Sequence, residues 1–221
     1  MKYLIILIVS ISFLGCSNNE QIAEFEKVLG YENSETLTLM VFDFENGFLK
    51  NKYPNLTPER AYKKLLIEMR DNKDFSWGKL PKFNKTRFEK SRLKYEIYSY
   101  VDSVWTETGE NPKMVLQYKV LNGDGNFITR VTELSHNPQV DKVNDSIIKN
   151  YYTWTDLNYE GRYWKALKKV HKSNQFISNY LEVAVTGGPV QPELLIDELL
   201  NSNPNYSDYF IKRIIVTNIS Y

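Results

Sequence analysis

The sequence predicts a mostly α, α+β fold in which helices flank a small central antiparallel β-meander. Three observations predict it. Apolar residues recur every three or four positions over most of the chain. Between residues 103 and 133 this spacing gives way to short Val-, Ile-, Tyr- and Phe-rich runs, split by turns bearing Gly, Asn and Asp. No Pro/Gly/Ser-rich linker or internal repeat divides residues 21–221, which read as a single α-rich globular domain. Apolar residues make up 42% of the chain and charged ones 25%, enough to fill one core and cover it.

Each element has a local reason. Ile22, Phe25, Val28 and Leu29 share a helical face, with Gly30 placed to end it. Leu37, Met40, Val41, Phe44 and Phe48 form the next face. Thr36–Phe44 also alternates as a strand would, but the face runs on past Phe44 and favours the helix. Thr57-Pro58-Glu59 is a helix start: a hydroxyl cap, a proline at the first position and a carboxylate at the positive end. Ala61, Tyr62, Leu65, Leu66 and Met69 follow as its apolar face, and a further helix is expected from Asn84 to about Tyr98.

Ser103–Thr106, Met114–Leu121 and Phe127–Glu133 supply the meander. Past Pro138, helical spacing returns with Val140, Val143, Ile147, Tyr151 and Trp154, then with Tyr163, Trp164, Leu167 and Val170. A helix beginning at Ser173 carries Phe176, Ile177, Tyr180, Leu181 and Val185 up to Gly187-Gly188-Pro189. Pro192 opens a short one with Leu194, Leu195, Leu199 and Leu200, and Phe210–Val216 fits a last helix or a last strand.

Composition narrows function. A formal net charge of +1 gives no field to draw in nucleic acid, so no nucleic-acid partner is expected. One cysteine makes no intramolecular disulfide. His136 and His171 stand far apart with no second thiol beside them, so neither a metal site nor a cofactor is expected. No P-loop, H-E-x-x-H, G-x-G-x-x-G or G-x-S-x-G motif occurs. Leu121–Phe127, LNGDGNF, has the look of a calcium loop, but Arg130 would fall among its ligands and a strand-like run follows, so a hairpin turn is expected. Asp43 and Glu45 would point about 200° apart on a helix, and Glu68 with Asp71 reads as a solvated helix end. His171, among lysines at a helix end, suits the helix dipole.

The amino terminus says more. Met1-Lys2-Tyr3 gives a positive start, and Leu4–Leu14 is an apolar run that no charged residue interrupts, of export-signal length and short of the roughly 20 residues that a spanning helix needs. Phe13-Leu14-Gly15-Cys16 resembles the lipobox of bacterial lipoproteins of Gram-negative type, with Phe13 where that family usually has Leu, Val or Ile. The resemblance implies a signal peptide over 1–15, cleavage before Cys16, diacylglycerol on the Cys16 sulfur and an acyl chain such as palmitate on the new amino terminus. Residues 16–20 would then be the lipidated cysteine and a polar tether. Ser17 after the cysteine implies sorting to the cell outer membrane.

Aromatics are the one excess, at 14%, and most fall on helical faces where they would fill the core; Tyr95, Tyr98, Tyr100 and Trp105, and Tyr151, Tyr152 and Trp154, cluster. The expected function is a non-enzymatic binding module in the cell envelope, joined to the membrane by its lipid and meeting an envelope protein or glycan. Such a module should expose a contiguous apolar or aromatic patch. The alternative is an envelope hydrolase or glycan-processing protein, with a site assembled from distant residues around titratable groups of shifted pKa.

Overall fold

A computed structural model describes residues 18–72, 82–107, 113–134 and 145–219. Helix α1 covers 18–29 and so begins inside the stretch read as a polar tether. Gly30 ends it at φ 88 and also leads into α2, Tyr31–Asp43. The face predicted beyond Phe44 is present, but the backbone loosens there into a π-helical turn, Phe44–Leu49, containing Asn46 and Gly47, before a last turn, α3, Lys50–Lys52. Helix α4, Pro58–Asn72, starts as its cap predicts and buries Ala61, Tyr62, Leu65 and Leu66.

The helix expected from Asn84 to Tyr98 is two helices and the start of a strand. Helix α5, Lys82–Lys90, stops where the Ser91 hydroxyl donates to the Phe88 carbonyl at 2.8 Å, a bond that competes with helix continuation. Helix α6, Leu93–Ile97, is short, and strand β1 begins at Tyr98 and runs to Glu107. Strands β2, Lys113–Leu121, and β3, Phe127–Leu134, complete the meander. A fourth strand, β4, Thr155–Leu157, pairs antiparallel with the start of β1 and gives the order β3-β2-β1-β4. The LNGDGNF segment is a hairpin turn: Asn122 Oδ1 accepts from the amides of Asp124 and Asn126, and Gly125 takes φ 81.

Helix α7, Asp145–Tyr151, ends before Trp154, which is not helical. Helix α8, Arg162–Val170, is followed by a 3-10 turn, His171–Ser173. Asn174, rather than Ser173, caps α9, Gln175–Gly187, its side chain accepting from Ile177 N at 3.3 Å. Helix α10 is Pro192–Ser202, and the ambiguous last segment is helix α11, Tyr209–Ile219.

Two apolar clusters result. The larger joins the helices around Phe25, Phe44, Tyr62, Trp164, Ile177 and Ile214; the smaller lies on one face of the sheet, where Tyr151 of α7 covers Met114 and Leu116. Between them sits a polar junction. Asn158 donates from Nδ2 to the carbonyls of Tyr95 and Leu121, both at 2.7 Å, and Trp164 Nε1 donates to the Ile97 carbonyl at 2.8 Å. Buried Glu96 accepts the Arg162 amide at 2.7 Å and so caps α8 with a carboxylate. Gly161 is required by space, since a Cβ there would lie 2.0 Å from the Glu96 carbonyl oxygen.

Candidate functional site

Three hollows that share residues form a furrow along the seam of α9 and α10. The first, about 670 Å³, lies where Tyr98 and Tyr100 alternate onto one face of β1. Pairing with β4 sets Thr155 opposite Tyr100, and Lys94 of α6 holds its ammonium 5.2 Å from the Tyr100 ring centre. The opposite bank is the segment from Pro189 to Pro192, turned by Gly188 at φ 78. Tyr98 Oη donates to the Thr217 carbonyl at 3.2 Å, which ties this strand to α11.

Burial pushes both phenols up from their ordinary pKa, Tyr98 further through Tyr100 and Tyr163, and Tyr100 further through Tyr95 and Glu89. Neither ionises near neutral pH. They offer ring faces and protonated hydroxyl groups, and cannot act as bases there. Ring contacts carry the platform outward, from Tyr98 to Tyr100 at 6.4 Å, Tyr100 to Tyr95 at 5.5 Å and Tyr95 to Phe127 at 5.0 Å. Lys119 sits 4.6 Å from the Phe127 ring centre and Arg92 sits 5.3 Å away.

The second hollow, about 400 Å³, shares Val190 with the first and is apolar along its floor. Leu194 is 60% exposed and Val183 46%, with Phe176 and Tyr180 beneath them and Glu182 and Glu198 at the rim. The third, about 490 Å³, shares Phe176, Asn179 and Glu198 with the second and is lined mostly by residues with polar side chains. Two of its polar side chains are already committed: Asp208 caps α11 at Phe210 N and Ile211 N, and Asn205 accepts from Ser207 N.

Among the described residues, the other sequence candidates do not converge on this furrow. Cys16 and His136 lie outside the described residues. Asp43 pairs with Arg87 at 3.3 Å and Glu45 with Lys212 at 2.8 Å, so the two acids serve different neighbours. Burial would raise the Glu68 carboxyl, but the Tyr53 hydroxyl at 2.7 Å and Lys52 at 3.0 Å hold it below its ordinary value; Asp71 pairs with Arg70. His171 Nδ1 lies 2.6 Å from the Lys168 carbonyl at the end of α8. Glu133, which stands twelfth from Asn122 where a calcium loop would close, bonds Lys113 at 2.6 Å. Among the described residues no group of three or more His, Cys, Asp or Glu side chains is placed to hold a metal ion, and no helix is long and apolar enough to cross a membrane.

Much of the aromatic surplus is core: Trp164, Tyr62, Tyr163 and Tyr206 are fully buried. Trp105, Phe127, Tyr152 and Trp154 are not. Periodicity also assigned Val185 and Leu194 to apolar faces, and both are exposed. Leu194 carried a signal for this, since it stands about 100° from Leu195, off the arc shared by Leu195 and Leu199. No protein-family profile, curated protein or solved structure matches this chain.

Proposed function

We propose that the protein is a cell-envelope lipoprotein, anchored through a lipidated Cys16, whose folded body is a non-enzymatic module for an extended segment of an envelope protein. The observation that carries this is the exposed apolar floor at Val183 and Leu194, continuous through Val190 with the tyrosine-lined hollow. A polypeptide in extended form suits such a furrow because its side chains can enter successive hollows while its backbone stays near the polar rims. The hydrolase alternative draws less support. Among the described residues, the titratable groups in the first hollow are Glu89, Lys94 and two phenols held neutral, with no pair of carboxylates and no histidine. A glycan reading has one favourable feature, the Tyr100 ring with Lys94, Thr153 and Thr155 beside it.

Photo-crosslinking in cells tests the reading. A photoreactive residue at Leu194 or Val183 should capture a discrete polypeptide, and one at Val131, exposed on β3, should not. A carbohydrate adduct would transfer the site to the glycan reading, and no adduct at Leu194 or Val183 would refute both. The anchor is tested separately by the mass of the amino-terminal peptide, which should exceed that of its amino acids by the lipid.

A further inference from the structure

We infer that the exposed lysine stripe of α8 is a docking surface for an anionic phospholipid leaflet. Helix α8 is sharply two-sided. Tyr163, Trp164, Ala166, Leu167 and Val170 are buried, while Lys165, Lys168 and Lys169 are exposed within an arc of about 100°. Lys172 extends the stripe in the following turn, and no acidic residue occurs between Gly161 and Ser173. None of these four lysines forms an ion pair with another described residue. Arg162, by contrast, is occupied: it donates to the Asp124 carbonyl and faces Glu96.

The placement of α1 gives the stripe its partner. Tyr163 at the start of α8 lies 3.2 Å from Thr217 near the end of α11, and Asn174 beyond the end of α8 shares a hollow with Asp208 and Ile211 at the start of α11. Helices α8 and α11 are therefore antiparallel. In α1, Phe25 packs on Tyr209 and Phe210, and Gly30 lies beside Arg162. Phe25 also meets Tyr163 edge-on, so α1 touches α8 at the start of α8 and leads back from there toward the start of α11. Residue 18 lies about 10 Å beyond Phe25 in that direction, the direction in which Lys168, Lys169 and Lys172 follow along α8. A lipid on Cys16, two residues further back, brings the bilayer to that side; this step rests on the anchored reading above. Glu20, Glu24 and Glu26 on α1 oppose the lysines only in part, since Lys27 offsets one of them. A lipid chain and a basic surface together hold far better than either alone.

The test uses the processed full-length protein with vesicles of phosphatidylcholine alone or mixed with phosphatidylglycerol. Lysines are labelled by an amine reagent that does not cross bilayers and are mapped by mass spectrometry. Phosphatidylglycerol should lower labelling of Lys165, Lys168, Lys169 and Lys172 at least about fivefold and leave Lys50 and Lys149 unchanged, with salt reversing the protection. Triple replacement by Gln at 168, 169 and 172 should weaken binding to the mixed vesicles by about a hundredfold, and triple replacement by Arg should preserve it. Equal labelling on both vesicles, or protection by a polynucleotide or acidic protein but not by phosphatidylglycerol, would overturn the inference. Failure of the anchor shows separately, as loss of binding to pure phosphatidylcholine with salt-sensitive binding to the mixed vesicles retained.

Discussion

In the helical body, Trp164 is enclosed on every side. Its ring stacks on Tyr180 at 5.8 Å, meets Tyr163 edge-on at 5.7 Å and donates to the Ile97 carbonyl. In the sheet, Met114 and Leu116 have one short helix over them, and their cluster is completed by half-buried Val104, Tyr118 and Leu134. The outer strand β3 has Val131 and Phe127 exposed and stays in place mainly through its ladder with β2. One region is closed by packing and the other by backbone pairing. The helical body should therefore set global stability, while the sheet is the part that opens locally at lower cost.

Raising the pH should break this contrast most severely, because several phenols are buried in the helical body. Tyr163 is pushed up to about 12 by burial, with Thr217 and Arg213 pulling the other way, and Tyr62 and Tyr180 are raised well above their ordinary value. An unfolded tyrosine ionises near pH 10, so the unfolded chain binds fewer protons above that pH and stability falls as pH climbs toward 12. Tyr163 alone accounts for a loss on the order of 2 kcal/mol by that pH. Circular dichroism against pH should show cooperative unfolding with the absorbance of tyrosinate appearing at the same point; ionisation of these phenols below pH 10 would contradict their burial.

Trp164→Ala comes next, with an expected loss of about 3–5 kcal/mol in denaturant unfolding, since it removes a fully buried ring and one of the two hydrogen bonds that the Ile97 carbonyl accepts. Met114→Ala should cost about 2 kcal/mol, and hydrogen exchange should quicken in β2 and β3 while the helices keep their protection. Uniform acceleration across the chain would mean that the two regions open as one. The smallest change is Val131→Thr, on the exposed face of β3, expected within about 0.5 kcal/mol of the parent in the same unfolding experiment.

Much of this contrast was legible beforehand. The helical faces around Phe25, Leu65, Trp164 and Ile177 announce themselves through spacing, and Thr57-Pro58 and Gly30 mark boundaries because caps are chosen by their nearest backbone groups. The break at Ser91 and strand β4 were not legible. Thr155–Leu157 is too short to carry a period and is a strand only because β1 lies alongside it. The furrow was still less so, since it joins Tyr98, Val190, Leu194 and Asn205 across separate elements.

By itself, the sequence determined the helical or extended character of most segments, the caps that start and stop several of them, and the export-signal pattern around Cys16. Those are decided between residues a few positions apart. Only the tertiary structure decided that Val183 and Leu194 remain uncovered and that Glu96 becomes the cap of α8. Each depends on contacts between residues dozens of positions apart, and no local periodicity encodes which faces of different helices will meet.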